Sequence, residues 1–175
     1  VSNGPGSFTG IRIGVSLVKG LSDPLNKKCV GVSTLEAIAK PLENTGVIAV
    51  SVMDARCNQV YTATFDCLNG EMKRLTEDEA ITIDELSERL KKQNKQLVLI
   101  GDGANICYSK MKEVIDNISI ASPAIRYQNA SSVALIAEEL ISKDENNAIN
   151  SEELVPEYLR LSQAERELKK KQENN

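Results

Sequence analysis

Apolar residues recur along this chain in two rhythms, one of three and four and one of two, and their order predicts a mixed α/β protein. Phe8, Ile11, Val15 and Val18 form one stripe of a helix. Ahead of them, Asn3-Gly4-Pro5-Gly6 combines residues that tolerate positive φ with one proline-fixed φ, so a tight turn is predicted to feed that helix. Ser7 or Thr9 can cap its first N–H groups. Residues 29–32 read as a short apolar strand, and Ser33-Thr34-Leu35-Glu36 reads as a capping box opening a helix to about Lys40. Pro41 and Asn44-Thr45-Gly46 then break the pattern, which places a lobe boundary there.

Beyond the boundary the rhythm changes to that of a sheet. Residues 47–52 are a continuous apolar run. Residues 59–66 alternate, with Val60, Thr62 and Thr64 on one face and Tyr61, Ala63 and Phe65 on the other. Asn69-Gly70 signals a hairpin, and residues 71–81 supply a third strand. Thr82-Ile83-Asp84-Glu85 is a second capping box, opening a largely solvated helix with Leu86 and Leu90 that ends near Asn94. Residues 97–100 form a strand delivered into Gly101-Asp102-Gly103, followed by a helix over about 105–114 and a strand over 118–121. A strongly patterned helix covers 130–142 with Val133, Ile136, Ala137 and Leu140 inward. Residues 156–166 then pack back onto the body, and 169–175 form a polar tail whose Lys169-Lys170-Lys171 run is read as a solvated helix end.

Gly10 and Gly14 lie four apart on a stripe beside the apolar one, where the missing side chains let another backbone come close. Each costs a helix about 1 kcal/mol against alanine, so a packing or functional gain is expected to offset them. A phosphate cradle is the competing reading, because a Gly-rich turn at a helix N-terminus presents N–H groups to anions. The string does not spell G-x-x-x-x-G-K-[ST], and Lys19 stands more than two turns from the loop. Close helix packing explains the glycines with fewer assumptions.

Composition narrows the chemistry. The chain has 175 residues, 41% of them hydrophobic, and a net charge of -4, which argues against a broad electrostatic footprint for nucleic acid. With no histidine, imidazole acid–base chemistry, Ser-His-Asp or Cys-His pairs and imidazole metal sites are all excluded. Cys29, Cys57, Cys67 and Cys107 form no C-x-x-C pair and are expected as reduced, mostly buried thiols. Cys57, beside Arg56, reads as a strand residue in preference to a reactive thiol. Asp54-Ala55-Arg56 pairs a carboxylate with a guanidinium, which suits a structural or partner-contact corner better than proton transfer. Gly101-Asp102-Gly103 is a nucleotide-binding or a purely structural turn, the second being preferred because any tight turn uses these residues. No apolar run approaches the roughly 20 residues that span a bilayer, and a cytoplasmic protein is expected.

The strings GPGSFTGIRIGVSLVKGLS and Val30-Gly31-Val32-Ser33-Thr34-Leu35-Glu36-Ala37 resemble the signature of the TsaB family. The similarity continues in Asp54-Ala55-Arg56 with Val60-Tyr61, in Gly101-Asp102-Gly103-Ala104, in Pro156 with Tyr158-Leu159-Arg160, and in Gln163-Ala164-Glu165-Arg166. Members of that family carry an actin-like strand meander ahead of the G-P-G-S-F-T-G string. The resemblance therefore implies an actin-like (ribonuclease H-like) two-lobe α/β fold with the N-terminal lobe truncated and the C-terminal lobe complete. Residues 1–45 would be the remainder of the first lobe, 46–168 the second and 169–175 the tail.

The same resemblance implies a non-catalytic dimerisation subunit of the bacterial machinery that makes N6-threonylcarbamoyladenosine at position 37 of tRNA. Its partners would be the catalytic subunit TsaD and the ATPase TsaE, with tRNA reached only through the complex. Phe8, Gly10, Ile11, Arg12, Gly14, Val15 and Val18 are the expected partner interface. No catalytic residue, metal or cofactor is expected on this chain alone, with ATP and Mg²⁺ used by the partner subunits. Old metalloprotease readings of that superfamily cannot apply here, because the chain has no histidine. Two alternatives stay open: an ATP-dependent phosphotransferase using an actin-like cleft, which would need a Mg²⁺-binding acid on a first strand, and a homodimer built on the same helix.

Overall fold

The computed structural model describes residues 1–68 and 70–160. Asn69 of the expected hairpin, the Gln163-Ala164-Glu165-Arg166 string and the tail at 169–175 lie outside the described residues. The chain opens with β1 (Ser2–Gly4), α1 (Phe8–Ser22), β2 (Val32–Ser33) and α2 (Thr34–Ala39), with single 3-10 turns after each helix. β1 and β2 pair in parallel as a two-stranded sheet. The tight turn expected at Asn3 to Gly6 is thus corrected in its extent: Ser2–Gly4 is a strand, Gly4 has the positive φ, and the bend falls at Pro5 and Gly6. The Val32 N–H donates to the Val1 carbonyl at 2.9 Å, and this pairing imposes extended backbone on a Gly- and Asn-rich stretch. The strand expected at 29–32 likewise moves to Val32–Ser33, and Cys29 instead makes an isolated bridge with Ile149.

The second sheet has six strands, and its centre is β3 (Ile48–Asp54). On one side β3 runs antiparallel to β4 (Gln59–Asp66), and on the other it runs parallel to β7 (Leu97–Ile100), which pairs in parallel with β8 (Ile118–Ile120). The third antiparallel strand expected over 71–81 is two short ones, β5 (Lys73–Arg74) and β6 (Glu79–Thr82), both paired with β4. The interruption has a local cause. The Thr76 hydroxyl accepts from the Thr64 N–H at 2.9 Å and so takes a ladder position from a backbone carbonyl.

Helices cover both faces. On one, α3 (Ile83–Leu90) and α4 (Ala104–Met111) bury Ile83, Leu86, Leu90, Cys107 and Met111 against Ile48, Val50, Val52, Val60 and Leu99. On the other, Leu35, Ile38 and Leu42 of the α2 region pack on Ala49, Ala63 and Phe65, and α5 (Ala130–Lys143) lies outside α2 through Ile136. The alternation of β4 therefore separates the two cores as the sequence predicts. α2, placed with the first lobe by sequence, packs on the sheet of the second, and the Ser51 hydroxyl donates to the Leu35 carbonyl at 2.7 Å across that seam. Of the two capping boxes, Thr82 accepts from the Glu85 N–H at 3.1 Å and Ser33 from the Glu36 N–H at 3.2 Å. The Glu36 carboxylate goes to Arg74 at 2.7 Å and not back to its own N-cap.

Candidate functional site

α1 starts where Ser7 accepts from the Gly10 N–H at 3.4 Å, and its fifteen residues present two apolar rows, not one. Ile11 and Val15 are buried in a small cluster with Cys29 and Leu154, flanked by Val1, Val18 and Ile149. Ile13, Leu17 and Leu21, two positions out of phase, are 64%, 61% and 63% exposed. At 100° per residue these three and Gly10, Gly14 and Gly20 share the opposite half of the helix. Of the expected interface residues, Ile11, Val15 and Val18 therefore belong to the chain's own packing, because the C-terminal segment supplies Leu154 and Ile149 on that side. The expected interface does not include the open row of Ile13, Leu17 and Leu21. Its spacing of four is visible in the sequence, but which of two apolar rows faces inward depends on Cys29 and on Ile149 and Leu154, the last two more than 100 positions away.

The glycines in and around the helix separate into kinds when the space around them is compared. A Cβ on Gly10 would meet only Ser7 of its own helix start, at 3.5 Å, one on Gly14 only Val1, at 3.9 Å, and one on Gly20 nothing within 4 Å. The fold does not need these three positions empty. By contrast, a Cβ on Gly4 would overlap the Glu157 carbonyl, and one on Gly31 would come within 2.8 Å of the Asn3 amide.

Phe8 and Arg12 lie on the flank facing the C-terminal segment. The Phe8 and Tyr158 rings stack with centroids 4.3 Å apart, and the Arg12 Nε donates to the Tyr158 hydroxyl at 2.6 Å. The guanidinium carbon lies 5.5 and 5.4 Å from the two ring centres, within cation–π range of both.

Gly101-Asp102-Gly103 joins β7 to α4 directly beside the end of β3. Gly101 has φ +114, and a Cβ there would overlap the Val52 carbonyl, while one on Gly103 would sit 3.2 Å from the Asp54 nitrogen. Asp102 accepts from the Asp54 N–H at 3.2 Å. Every residue of this turn thus has a structural task. Asp54 accepts from the Arg56 N–H at 2.8 Å and pairs with its guanidinium at 3.3 Å at the mouth of a hairpin. Arg56, Cys57 and Asn58 are consecutive left-handed residues in that hairpin, so Cys57 is an exposed loop residue and not part of a strand. The Ala55 carbonyl accepts from Arg160.

A second group of charges is paired. A cleft of about 500 Å³ is lined by Glu36, Glu43, Arg74 and Glu139, where Arg74 bridges Glu36 and Asp78 and buried Lys40 bridges Glu43 and Glu139. Burial opposes the Lys40 charge, but its hydrogen bonds to Glu139 and Glu43 outweigh that and hold the ammonium above its usual pKa. Burial pushes the Cys67 thiol up to about 11 and that of Cys107 up to about 12, which keeps both protonated and unreactive near neutral pH. Among the described residues no group of three or more Cys, Asp or Glu is placed to hold a metal ion, and no helix is long and apolar enough to cross a membrane.

Residues 1–168 match the family described as TsaD: tRNA N6-adenosine threonylcarbamoyltransferase. The chain is 30% identical over 166 residues to the tRNA threonylcarbamoyladenosine biosynthesis protein TsaB of Bacillus subtilis, covering 94% of this chain and 70% of that protein. With the protein of the same description from Escherichia coli it shares 33% identity over 103 residues, 57% of this chain and 45% of the relative. Its fold is similar to that of YeaZ from Pseudomonas aeruginosa, with a TM-score of 0.70 at 22% identity over 90% of this chain and 72% of that one. A second Pseudomonas aeruginosa structure, of an uncharacterized protein with similarity to peptidase YEAZ, gives a TM-score of 0.73 at 22% identity over 91% and 71%.

Proposed function

The chain belongs to the TsaB family, and from that membership and the open face of α1 we propose that it is a docking subunit of the machinery that makes N6-threonylcarbamoyladenosine at position 37 of tRNA. One observation carries the proposal. Ile13, Leu17 and Leu21 stand exposed beside three glycines that the chain's own packing does not require. Such a row leaves about three large apolar side chains in water, and its glycines cost the helix about 1 kcal/mol each, unless a second helix covers it.

The partner is a TsaD-type catalytic subunit, joined by a TsaE-type ATPase. The match of this chain to the threonylcarbamoyltransferase family supports a related fold in that partner, whose equivalent helix would lie along α1. Transfer of the threonylcarbamoyl group belongs to the partner, and ATP and Mg²⁺ are used by the other subunits. The absence of histidine supports a chain without acid–base chemistry of that kind, and the structural tasks of Gly101, Asp102 and Gly103 weigh against a nucleotide turn there. The reading carries a cytoplasmic address, and tRNA contacts made through the complex.

A second reading uses the same face. An apolar row with small residues on either side is self-complementary, which suits two copies of this chain meeting on a two-fold axis. Sedimentation of the chain alone and with the TsaD-type subunit separates the two. A homodimer that the partner does not displace would favour the second reading.

A further inference from the structure

Phe8, Arg12, Val15 and Lys19 fall on one line along α1, at spacings of four, three and four, directly opposite the open row. That line faces residues 150–160, which run alongside the helix. At the start of α1, Tyr158 stacks on Phe8 and accepts from Arg12. Near its end, the Lys19 ammonium donates to the carbonyls of Glu152 and Leu154 at 3.2 and 3.1 Å. Between the two, Leu154 packs in the cluster of Ile11 and Val15. The two contacts are separated by about 16 Å of helix axis at 1.5 Å per residue.

The segment itself is fixed elsewhere. The Glu157 N–H donates to the Asn3 carbonyl at 2.7 Å and Arg160 to the Ala55 carbonyl of the hairpin after β3, while the Ser151 hydroxyl adds a bond at 2.7 Å to Asp23, the residue that closes α1. Ile149 exchanges both backbone hydrogen bonds with Cys29 at 2.8 and 2.9 Å. α1, in contrast, has a narrow seat, with only Ile11, Val15 and Ser22 buried. A helix resting on one central strip can rock about it unless it is held at both ends.

We infer that Lys19 and Tyr158 are positioning residues that clasp the two ends of α1 to the C-terminal strap and so fix the tilt at which its open row meets a partner. Neither side chain lies on that row. The inference rests on the docking reading above, and through it the strap's attachment to Ala55 links the docking helix to the hairpin of the main sheet.

The test uses the full chain with Lys19→Met, Tyr158→Ala, the conservative Lys19→Arg and Tyr158→Phe, and Leu17→Asp in the open row. Affinity for the TsaD-type subunit of the same organism is measured by calorimetry, and amide hydrogen exchange is followed in α1 and in β3 and β7. Lys19→Met and Tyr158→Ala are expected to weaken association about tenfold and to speed exchange in α1 by at least that factor, with β3 and β7 unchanged. Lys19→Arg and Tyr158→Phe, which keep a donor and a ring, are expected to recover most of both. If exchange in α1 is unchanged in both disruptive variants, or if both bind as the unaltered chain does while Leu17→Asp loses affinity, the clasp is overturned. Failure of the docking reading looks different, because Leu17→Asp would then bind as the unaltered chain does, and exchange in α1 alone would decide whether the strap holds the helix.

Discussion

Ile11 and Ile13 stand two positions apart on one helix, the first buried against Leu154 and the second 64% exposed. The helix therefore carries one apolar row for its own fold and another that the fold leaves open. Gly10 and Gly14 belong to the open side, and this gives their substitution an unusual signature.

Gly10→Ala and Gly14→Ala are each expected to stabilise the isolated chain by about 0.5–1 kcal/mol, because a methyl group meets nothing closer than 3.5 Å and alanine is the better helix former. Gly14→Leu is expected to fold equally well and to lose affinity for the TsaD-type partner. Urea midpoints and calorimetric titration check the two halves. A destabilised Gly10→Ala chain would show that the glycines serve the fold.

Gly101→Ala is expected to do the reverse. With φ +114 and the Val52 carbonyl in the way, added bulk strains the junction of β7 and α4, at a cost of about 2 kcal/mol or more. Equilibrium unfolding in urea measures it. A loss comparable with that of an exposed surface change would contradict the structural account of the turn.

Thr82→Ala removes the hydroxyl that accepts from the Glu85 N–H and is expected to cost about 1 kcal/mol, with Thr82→Ser recovering most of it. The readout is again the urea midpoint.

Stability is expected to fall as pH rises above about 9. The thiols of Cys67 and Cys107 ionise near 9 when the chain is unfolded, but only near about 11 and 12 when burial holds them protonated, so the unfolded state releases protons first and gains. Lys40 acts in the same direction further up. Its folded pKa is raised above 10.5, so its contribution is complete below that value and is lost as pH climbs through the folded pKa. Urea midpoints from pH 7.5 to 10.5, in roughly half-unit steps, check this. Cys107→Ala lowers the curve through its cavity but is expected to flatten its alkaline slope, and an unchanged slope would contradict the assignment.

Much of the fold was legible because local signals and tertiary demands agree. The alternation of β4 named its bounds and both of its faces, Val60 to one core and Phe65 to the other. Thr82 and Ser33 announced two helix starts through their own short-range hydrogen bonds. What stayed illegible depends on distant partners. Ser2–Gly4 is a strand only because Val32 pairs beside it, the strand after β4 breaks only because the Thr76 side chain reaches Thr64, and Cys57 leaves the ladder in a left-handed loop. The site was half legible for the same reason. The helix and its glycines were visible, and the orientation of its two apolar rows waited on Leu154 and Cys29.

The central claim is that the row of Ile13, Leu17 and Leu21 is where a TsaD-type subunit docks. Calorimetric titration of that subunit with the unaltered chain and with Leu17→Asp tests it most directly, since a carboxylate at a 61% exposed position leaves the fold within about 0.5 kcal/mol of its original stability. The account predicts saturable binding by the unaltered chain and at least a hundredfold loss, about 2.7 kcal/mol, for Leu17→Asp at an unchanged urea midpoint. Equal affinity for the two proteins would contradict it.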